Sequence, residues 1–409
     1  MFLKKNLINN KNEILTLTII FVYIGLILGT AIANFFILVS IIIFFLIDKN
    51  NYRLLFYKYE YIDKILLFFF TYLIFSSLLS DYASHSFYKS LLYFKFFLIF
   101  IILKVLILQN IKFFSLIWKL FLPIFLILIF DGIFQFLFSF NIIGIERTSS
   151  RISSFFGDEW ILGSYLFHTI PFILTALYLQ NYKNFKKNIF CISISILTIL
   201  MIYISGERTT FFLSVVYFLI ILFLIFIRKI YFLFIFIIFL SSLVIIFPSN
   251  RMFNTYQFQI QNDPNIYSTF SVYKDLYSTA FKMHQDKKFF GHGFQTFRKI
   301  CPDKKFQTGR FGCSTHPHNY YFQILAESGI IGLIIFLSII ILLLKDLIQI
   351  FIKWKNKFEE SYLILLFIIL NILIPLIPLV PSGNAYSSVS GIFLYFKLAL
   401  YFALKKKFN

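Results

Sequence analysis

Long apolar segments alternate with short polar ones along almost the whole chain. Runs of about twenty residues rich in Ile, Leu and Phe recur between Ile14 and Leu404, long enough to cross a hydrocarbon core of about 30 Å as helices. Continuous runs favour helices over the alternating strands of a membrane barrel. The pattern therefore predicts an all-α polytopic membrane protein with about 12 transmembrane helices. The expected spans are 14–29, 31–47, 62–80, 90–109, 114–138, 160–180, 189–205, 210–227, 230–247, 319–344, 361–381 and 386–404.

Basic residues are distributed unevenly between the two sides of these spans. A cytoplasmic N-terminus places inside the clusters around Lys4, Lys49, Lys183 and Lys405, and the short loops opposite then carry few basic residues. This orientation satisfies the positive-inside rule and makes both termini cytoplasmic. The basic N-terminal segment leads into an apolar stretch without an obvious cleavage site, so we expect the first helix to remain as an anchor.

The composition agrees with a membrane protein and argues against nucleic-acid binding. The 409 residues are 59% hydrophobic and 14% charged, and the mean hydropathy is +0.83. The formal net charge is +20, but the lysines stand in short clusters between apolar runs instead of along one face of a soluble domain. We interpret this charge as a topology signal and expect no nucleic-acid partner.

One long polar stretch divides the chain into three parts. The expected parts are an N-terminal bundle of about nine helices (1–247), an outer loop subdomain (248–318) and C-terminal transmembrane helices (319–409). Within the loop, an amphipathic helix is predicted from Ser268 to Gln285. Such a helix can lie on the membrane surface and cover what lies beneath it. Its expected apolar face comprises Phe270, Tyr273, Leu276, Tyr277, Ala280 and Phe281.

Two cysteines share this loop. Cys301 and Cys313 are twelve positions apart, and a third cysteine, Cys191, lies in a span. An oxidising compartment permits a disulfide between the first two, and two free thiols are the alternative. Closing such a ring is worth about 3 kcal/mol on a loop-entropy argument, which would help a subdomain with little core.

Arginines next to spans on the predicted outer face run against the positive-inside trend. Arg147 and Arg151 precede the sixth span, and Arg208 stands in the short turn Ser205-Gly-Glu-Arg-Thr-Thr210. An ion pair with Glu207 and contact with lipid headgroups is one interpretation of Arg208. The other is a permanently charged, planar group that binds a phosphate. Together the arginines suggest a bound anion.

Histidines concentrate in or beside the outer loop. His284, His292, His316 and His318 are four of the six in the chain. His316 and His318 stand at the mouth of a span, where a neutral imidazole can accept a proton near pH 7. No zinc-ligand spacing supports a metal site. The segment Gly291-His-Gly293 has the glycines of a phosphate-binding turn, but it lacks the strand context of a nucleotide fold.

Several of these segments together resemble a known family. His318-Asn319, followed after nine residues by Gly329-Ile-Ile-Gly332, resembles the signature of the bacterial O-antigen ligase and polymerase family. Phe289-Phe-Gly-His-Gly-Phe-Gln-Thr-Phe297 is similar to the family's glycine-rich segment, and Ser205-Gly-Glu-Arg208 to its Ser-Gly-x-Arg turn. Arg151-Ile-Ser-Ser-Phe-Phe-Gly is similar to its arginine segment. These matches cover about 145–335 in the family's order.

The resemblance implies a glycosyltransferase of the GT-C type in the bacterial inner membrane. It implies metal-independent, inverting transfer of a glycan from a polyprenyl diphosphate, such as undecaprenyl diphosphate, to a lipid A-core acceptor at the periplasmic face, with no cofactor. In lipopolysaccharide biosynthesis this is the O-antigen ligase reaction. The donor brings its own activated leaving group, so the site needs cations over the departing charge and a base for the acceptor hydroxyl.

The expected roles follow from this chemistry. Glycines let helix 319–344 pack closely and fix the histidine, while Asn319 either caps that helix or bonds the acceptor. Glu207 stands where the family more often has a small residue, and it either pairs with Arg208 or touches sugar. The expected site residues are His318 and Arg208 (catalytic), Arg151, Arg298, His316, Asn319 and Glu207 (substrate-binding), and Gly291, Gly293, Gly329, Gly332, Cys301 and Cys313 (structural).

Three alternatives remain open at this point. A polymerase would use the same donor chemistry but extend a lipid-linked glycan by another repeat. A flippase or transporter would place polar residues near the bilayer midplane, for which Lys95, Lys104 and Lys397 inside spans are the candidates. A non-catalytic scaffold would tolerate loss of His318.

Overall fold

The described part of the chain is helical, as the hydrophobic pattern predicts. The computed structural model describes residues 2–47, 60–109, 112–147, 151–226 and 268–408, and the predicted span 230–247 lies outside them. The helices are α1 (Phe2–Leu28), α2 (Thr30–Ile47), α3 (Tyr61–Leu78), α4 (Ala83–Gln109), α5 (Phe113–Phe138), α6 (Leu162–Tyr178), α7 (Asn184–Ser205), α8 (Arg208–Ile225), α9 (Ser268–Asp286), α10 (Phe297–Ile300), α11 (Tyr320–Lys357), α12 (Glu360–Leu373) and α13 (Ser388–Phe408).

Most of these helices are long and apolar enough to cross a membrane. Seven qualify by length and composition among the described residues, and four shorter apolar helices accompany them. Helices α6 and α12 are buried on nearly all sides, which is how a helix that is apolar all round behaves at the centre of a bundle. The peripheral helices expose large apolar side chains such as Ile127, Phe212 and Ile341. The chain is therefore an all-α polytopic membrane protein.

Helix α11 is broken where the sequence pattern predicts a continuous span. Gly329 has φ 68° and ψ −173°, which interrupts the helix between Tyr320 and Lys357. The break leaves backbone groups without their helical partners, and an inserted loop segment, 288–293, binds four of them. His292 and Gly293 donate to the carbonyls of Ala326 and Glu327 (3.0 and 2.8 Å), while Ile330 and Ile331 donate to those of Lys288 and Phe289 (2.9 and 3.4 Å). The carbonyl of Ser328 is also bound, because the hydroxyl of Tyr72 donates to it (2.6 Å), and such pairing offsets the cost of burying backbone groups.

The glycines of both segments allow this close approach. A Cβ at Gly291 would come within 3 Å of the backbone of Glu327 and Gly329, and a Cβ at Gly329 would meet the backbone of Phe289 and Gly291 equally closely. Both glycines also have positive φ, which side-chain-bearing residues rarely adopt. The spaced glycines therefore join a loop to a broken helix, in addition to the helix packing expected from the sequence.

A small separate core holds the loop subdomain together. It consists of Leu276, Ala280, Met283, Phe297, Ile300, Cys301, Phe306 and Ala326. A disulfide joins Cys301 to Cys313. The buried carboxylate of Glu327 accepts backbone hydrogen bonds from Phe297 (2.8 Å) and Gln295 (3.2 Å), so α11 is tied to the loop by side chain as well as backbone.

The amphipathic helix is present, with a different buried face. Helix α9 begins at Ser268 and ends at Asp286, and it packs on α11. Its buried apolar positions are Leu276, Ala280 and Met283, which follow helical spacing, whereas Phe281 is exposed. Phe281, which was predicted on the apolar face, is therefore not part of the packing on α11, and the side chain of Phe270 lies outside the described side chains.

The predicted span 361–381 ends earlier as a helix. Helix α12 stops at Leu373 and continues as one 3₁₀ turn, Ile374–Leu376. Pro375, Pro378 and Pro381 explain the end, because proline removes a backbone donor and restricts the residue before it. The following segment runs over the end of the bundle and carries Ser382 to the site described below.

Candidate active site

A cleft of about 430 Å³ opens at one end of the bundle. Its walls come from the starts of α6, α8 and α11, from α9, and from the loop after α12. Five of the expected site residues line it: Arg151, Glu207, Arg208, His316 and His318. The other lining residues are Trp160, Ser164, His168, Gly206, Thr209, Thr210, Leu213, Tyr273, Tyr320, Pro375, Pro381, Ser382 and Gly383.

Arg208 is the first residue of α8 and its side chain is exposed to the cleft. Gly206 ends α7 in the left-handed conformation (φ 78°), which makes the turn into α8 short. Within the described residues, no carboxylate lies within ion-pair distance of the Arg208 guanidinium. The positive end of a helix dipole adds to this charge, so the turn is suited to binding an anion.

Glu207 binds the start of a neighbouring helix. Its carboxylate accepts hydrogen bonds from the backbone N–H groups of Gly163 (2.6 Å) and Ser164 (3.0 Å), and also from the hydroxyl of Ser164 and that of Thr210 (3.2 Å). Burial raises the pKa of Glu207, while these hydrogen bonds lower it in part. Glu207 therefore caps α6, and the expected ion pair with Arg208 is not formed.

Arg151 reaches the cleft from the segment before α6. The side chain of Gln135 holds this segment, because its Oε1 accepts hydrogen bonds from the backbone of Ser153 (3.1 Å) and Ser154 (2.7 Å). The guanidinium of Arg151 lies over the ring of Trp160, 4.8 Å from its centroid, a cation–π contact that orients the fork. Its Nε is buried without a hydrogen-bond partner among the described residues. An unpaired buried donor of this kind fits a site for an anionic ligand.

His316 and His318 lie side by side just before α11. Their ring centroids are 4.1 Å apart, and the ring of Tyr273 from α9 lies 6.3 Å from that of His318. The backbone of His318 is left-handed (φ 55°), and its carbonyl accepts a hydrogen bond from the N–H of Ser382 (2.8 Å). Backbone strain at a non-glycine residue is typical of functional sites. Nδ1 of His316 contacts the hydroxyl of Thr315 (2.9 Å).

Both histidines are held neutral at neutral pH. Burial, and to a smaller extent the nearby His318, lower the pKa of His316 to about 4, although a hydrogen bond with the backbone of Ser382 partly opposes them. Burial also lowers the pKa of His318. Nε2 of His316 is buried and has no hydrogen-bond partner among the described residues. A neutral imidazole can accept a proton, so this pair can supply a general base.

Two expected binding residues do not line the cleft. Asn319 is buried and caps α11, since its Oδ1 accepts hydrogen bonds from the N–H groups of Tyr321 (3.0 Å) and Phe322 (3.3 Å). Arg298 is exposed on α10, because the neighbouring Phe297 and Ile300 are turned into the small core of the loop. Arg298, which was expected to bind substrate, therefore does not line the cleft, and of the two roles considered for Asn319 the structure shows the cap.

Some cleft residues escaped sequence analysis. Trp160 and Ser382 were missed because neither belongs to a motif, and Ser382 lies just past a segment assigned to a span. His168 could have been found, because an ionisable residue inside an apolar segment is a functional candidate in itself. Within the described ranges, no group of three or more His, Cys, Asp or Glu side chains is arranged to hold a metal ion.

Comparison with known proteins supports the resemblance seen in the motifs. A family model described as O-antigen ligase matches residues 193–337. The matched region includes Arg208, the glycine-rich segment 289–297, His318 and Gly332, whereas Arg151 precedes it. No curated protein matches the chain. Residues 193–337 of this membrane protein thus match an O-antigen ligase domain, and the match supports an activity of the ligase or polymerase type.

Proposed function

We propose that the protein transfers a polyprenyl-diphosphate-linked glycan, an O-antigen or a similar surface polysaccharide, to a lipid A-core acceptor. The reaction takes place at the periplasmic face of the bacterial inner membrane. One observation carries this proposal: a single cleft gathers two arginines and two neutral histidines from three separate segments. The activity type of the O-antigen ligase domain agrees with it.

Arg151 and Arg208 are suited to stabilising the negative charge of the leaving group. As the bond between the anomeric carbon and the diphosphate oxygen breaks, negative charge develops on the departing polyprenyl diphosphate. No carboxylate among the described residues pairs with Arg208, and Arg151 is oriented by Trp160. Planar guanidinium groups bind phosphate oxygens through two hydrogen bonds at once and stabilise such charge. We propose that they supply the positive charge for a metal-independent reaction.

His318 is suited to act as the general base for the acceptor hydroxyl. Its neutral imidazole takes the proton of the acceptor hydroxyl while that oxygen forms a bond to the anomeric carbon. Attack from the face opposite the diphosphate inverts the configuration of the sugar. The carbonyl of His318 is fixed by Ser382, and Asn319 caps the helix that follows, so the ring is attached to a well-defined backbone.

The predicted topology is consistent with a periplasmic cleft. The starts of α8 and α11 and the loop after α12 meet there, and the charge pattern assigns all three to the outer side. Helix α9 covers one wall through Tyr273. A glycan that arrives on a polyprenyl carrier would thus reach the cleft from the membrane surface.

The transporter alternative gains no support from the lysines within spans. Lys104 forms ion pairs with Asp63 (2.8 Å) and Glu60 (2.7 Å), whereas Lys397 binds His168 and Asn371. Lys95 lies beside the ring of Phe96. Among the described residues, the three lysines thus make separate local contacts.

Complementation of a ligase-deficient strain tests the proposal. We expect the wild type to restore glycan on lipid A-core, and His318→Ala and Arg208→Ala to accumulate polyprenyl-linked glycan instead. Loss of either group should lower transfer at least 100-fold, on the order of the effect of a general base or a charge-stabilising donor. Arg298→Ala is the matched control, because this arginine is exposed outside the cleft.

Two results would contradict the proposal. If His318→Ala and Arg208→Ala both retain full activity, the assignment of these two residues to the active site is wrong. If the wild type instead lengthens chains in a polymerase-deficient strain and adds nothing to lipid A-core, the protein is a polymerase that uses the same donor chemistry.

A further inference from the structure

A histidine within α6 reaches the cleft from below. His168 lines both the cleft and an adjoining, mostly apolar cavity. Its ring stacks on Phe393, with centroids 4.5 Å apart and an interplanar angle of 23°. Ser164, one helical turn earlier, lines the same cleft, so the two side chains share a face of α6.

A buried lysine fixes the orientation of this ring. Nζ of Lys397 lies 2.9 Å from Nδ1 of His168, 2.8 Å from the backbone oxygen of Asn371 and 2.9 Å from its Oδ1. Asn371 is itself oriented, because its Nδ2 donates to the carbonyl of Phe167 (3.0 Å). With Lys397 as the charged ammonium, which has three hydrogens and accepts none, all three are donated to these atoms and Nδ1 of His168 is the acceptor.

The tautomer of His168 follows from this contact. A neutral imidazole whose Nδ1 accepts a hydrogen bond carries its hydrogen on Nε2. Within the described residues no hydrogen bond to Nε2 is formed, and Nε2 is not among the buried atoms left without a partner. This N–H is therefore accessible from the cavity side of the ring.

The charge of Lys397 points to an anion nearby. Within the described residues, no carboxylate lies within ion-pair distance of its Nζ, although the side chain is buried. Burial in a membrane protein disfavours an ammonium without a counter-ion, so the charged form of Lys397 requires a nearby anion to stabilise it. A negatively charged group bound in the cleft would offset part of that cost.

We propose that His168 binds an anionic oxygen of the substrate diphosphate through its Nε2 hydrogen, and that Lys397 is the residue that positions it. This inference rests on the proposed function, because it assumes a diphosphate in the cleft. It adds a donor from the floor of the cleft to the two arginines at its rim.

Binding of farnesyl diphosphate to the purified full-length protein tests this assignment. A hydrogen bond to a charged oxygen corresponds to about 10- to 100-fold in affinity, so we expect His168→Phe, which keeps a ring against Phe393, to bind that much more weakly. His168→Gln places an amide N–H near the position of Nε2 and should bind within about 3-fold of the wild type. His168→Asn places its amide near Nδ1 and should bind as weakly as the phenylalanine variant.

Matched controls separate the diphosphate from the lipid tail and from general damage. His85→Phe changes a histidine outside the cleft and should leave affinity unchanged. Farnesol, which lacks the phosphates, should bind all variants alike. Lys397→Met should weaken diphosphate binding, and its effect should largely disappear in the His168→Gln background, where no ring needs to be oriented.

The outcomes distinguish this inference from the proposed function. If His168→Phe binds farnesyl diphosphate as tightly as the wild type, the role of His168 is overturned. If His168→Phe does not fold, the comparison is between His168→Gln and His168→Asn, and equal affinity of these two variants overturns the role. An unchanged effect of Lys397→Met in the His168→Gln background overturns the positioning role. If the variants weaken binding as expected but the wild type transfers no glycan in cells, the inference stands and the proposed function fails. If the wild type binds no farnesyl diphosphate, both fail.

Discussion

At the scale of single residues, two neighbouring charged side chains of the cleft differ in whether they have a partner. Arg208 has no ion-pair partner within the described residues, whereas the neighbouring Glu207 is bound to the N-terminus of α6. Two adjacent residues of opposite charge thus act on different parts of the molecule. This separation keeps the arginine available for a phosphate group.

The neutral state of the histidines leads to a prediction about pH. Burial lowers the pKa of His318 below its ordinary value of 6.5, so the imidazole stays neutral and able to accept a proton at pH values where a free histidine is already charged. We expect the transfer rate to fall only as pH decreases through this lowered pKa. The rate of glycan transfer by the purified protein, measured against pH, checks this. A decline centred at or above pH 6.5 would show that His318 is not the base.

A second prediction concerns Glu207 as a structural cap. Glu207→Ala removes four hydrogen bonds from the start of α6 and should lower the free energy of unfolding by about 1–3 kcal/mol. Thermal unfolding of the purified protein in detergent measures the change. The stability of Glu207→Gln should lie between that of the wild type and that of Glu207→Ala. Glu359→Ala is the control, because Glu359 begins α12 without a side-chain cap hydrogen bond. Equal stability of the Glu207→Ala variant and the control would mean that the cap contributes nothing.

At the scale of elements, the joint between α11 and the segment 288–293 is the most constrained part of the site. Gly329→Ala and Gly291→Ala each place a Cβ within 3 Å of facing backbone and in an unfavourable φ region. We expect each to lower the free energy of unfolding by at least about 2 kcal/mol.

Thermal unfolding measures the stability of these glycine variants, and an alanine substitution at an unconstrained glycine is the control. Gly383→Ala adds a Cβ whose nearest neighbour, the hydroxyl oxygen of Ser390, is 3.7 Å away, so its effect should stay within about 0.5 kcal/mol. If all three variants are equally stable, the joint tolerates side chains and the account of the break is wrong.

The helices could be predicted from the sequence, but the joint could not. Apolar runs and charge clusters are local signals, and they placed α9 within one residue at its C-terminal end. The break at Gly329 depends on a partner segment about forty residues earlier, which hydropathy does not register. Arg298 and Arg208 look alike in sequence, and only packing of Phe297 and Ile300 turns the first away from the cleft.

At the scale of the whole molecule, the sidedness of the cleft is a prediction about topology. The cysteine of Ile143→Cys, which is exposed after α5, should react with a membrane-impermeant thiol reagent added from outside the inner membrane. A cysteine at Lys355, exposed at the end of α11, should react only after the cytoplasm is opened. The unsubstituted chain is the control, since Cys191 is buried and Cys301 is bonded to Cys313. The reverse pattern would place the cleft in the cytoplasm.

The cap formed by Glu207 also bears on how such a site tolerates sequence change. A carboxylate beside an anion-binding arginine would ordinarily repel the phosphates of the substrate. Here the backbone N–H groups at the start of α6 and the hydroxyl of Ser164 donate hydrogen bonds to the carboxylate of Glu207, which offset its negative charge. An acidic residue can therefore replace a small one at this position only together with the groups that receive it, so the fitness effect of a change at Glu207 depends on the residue present at Ser164.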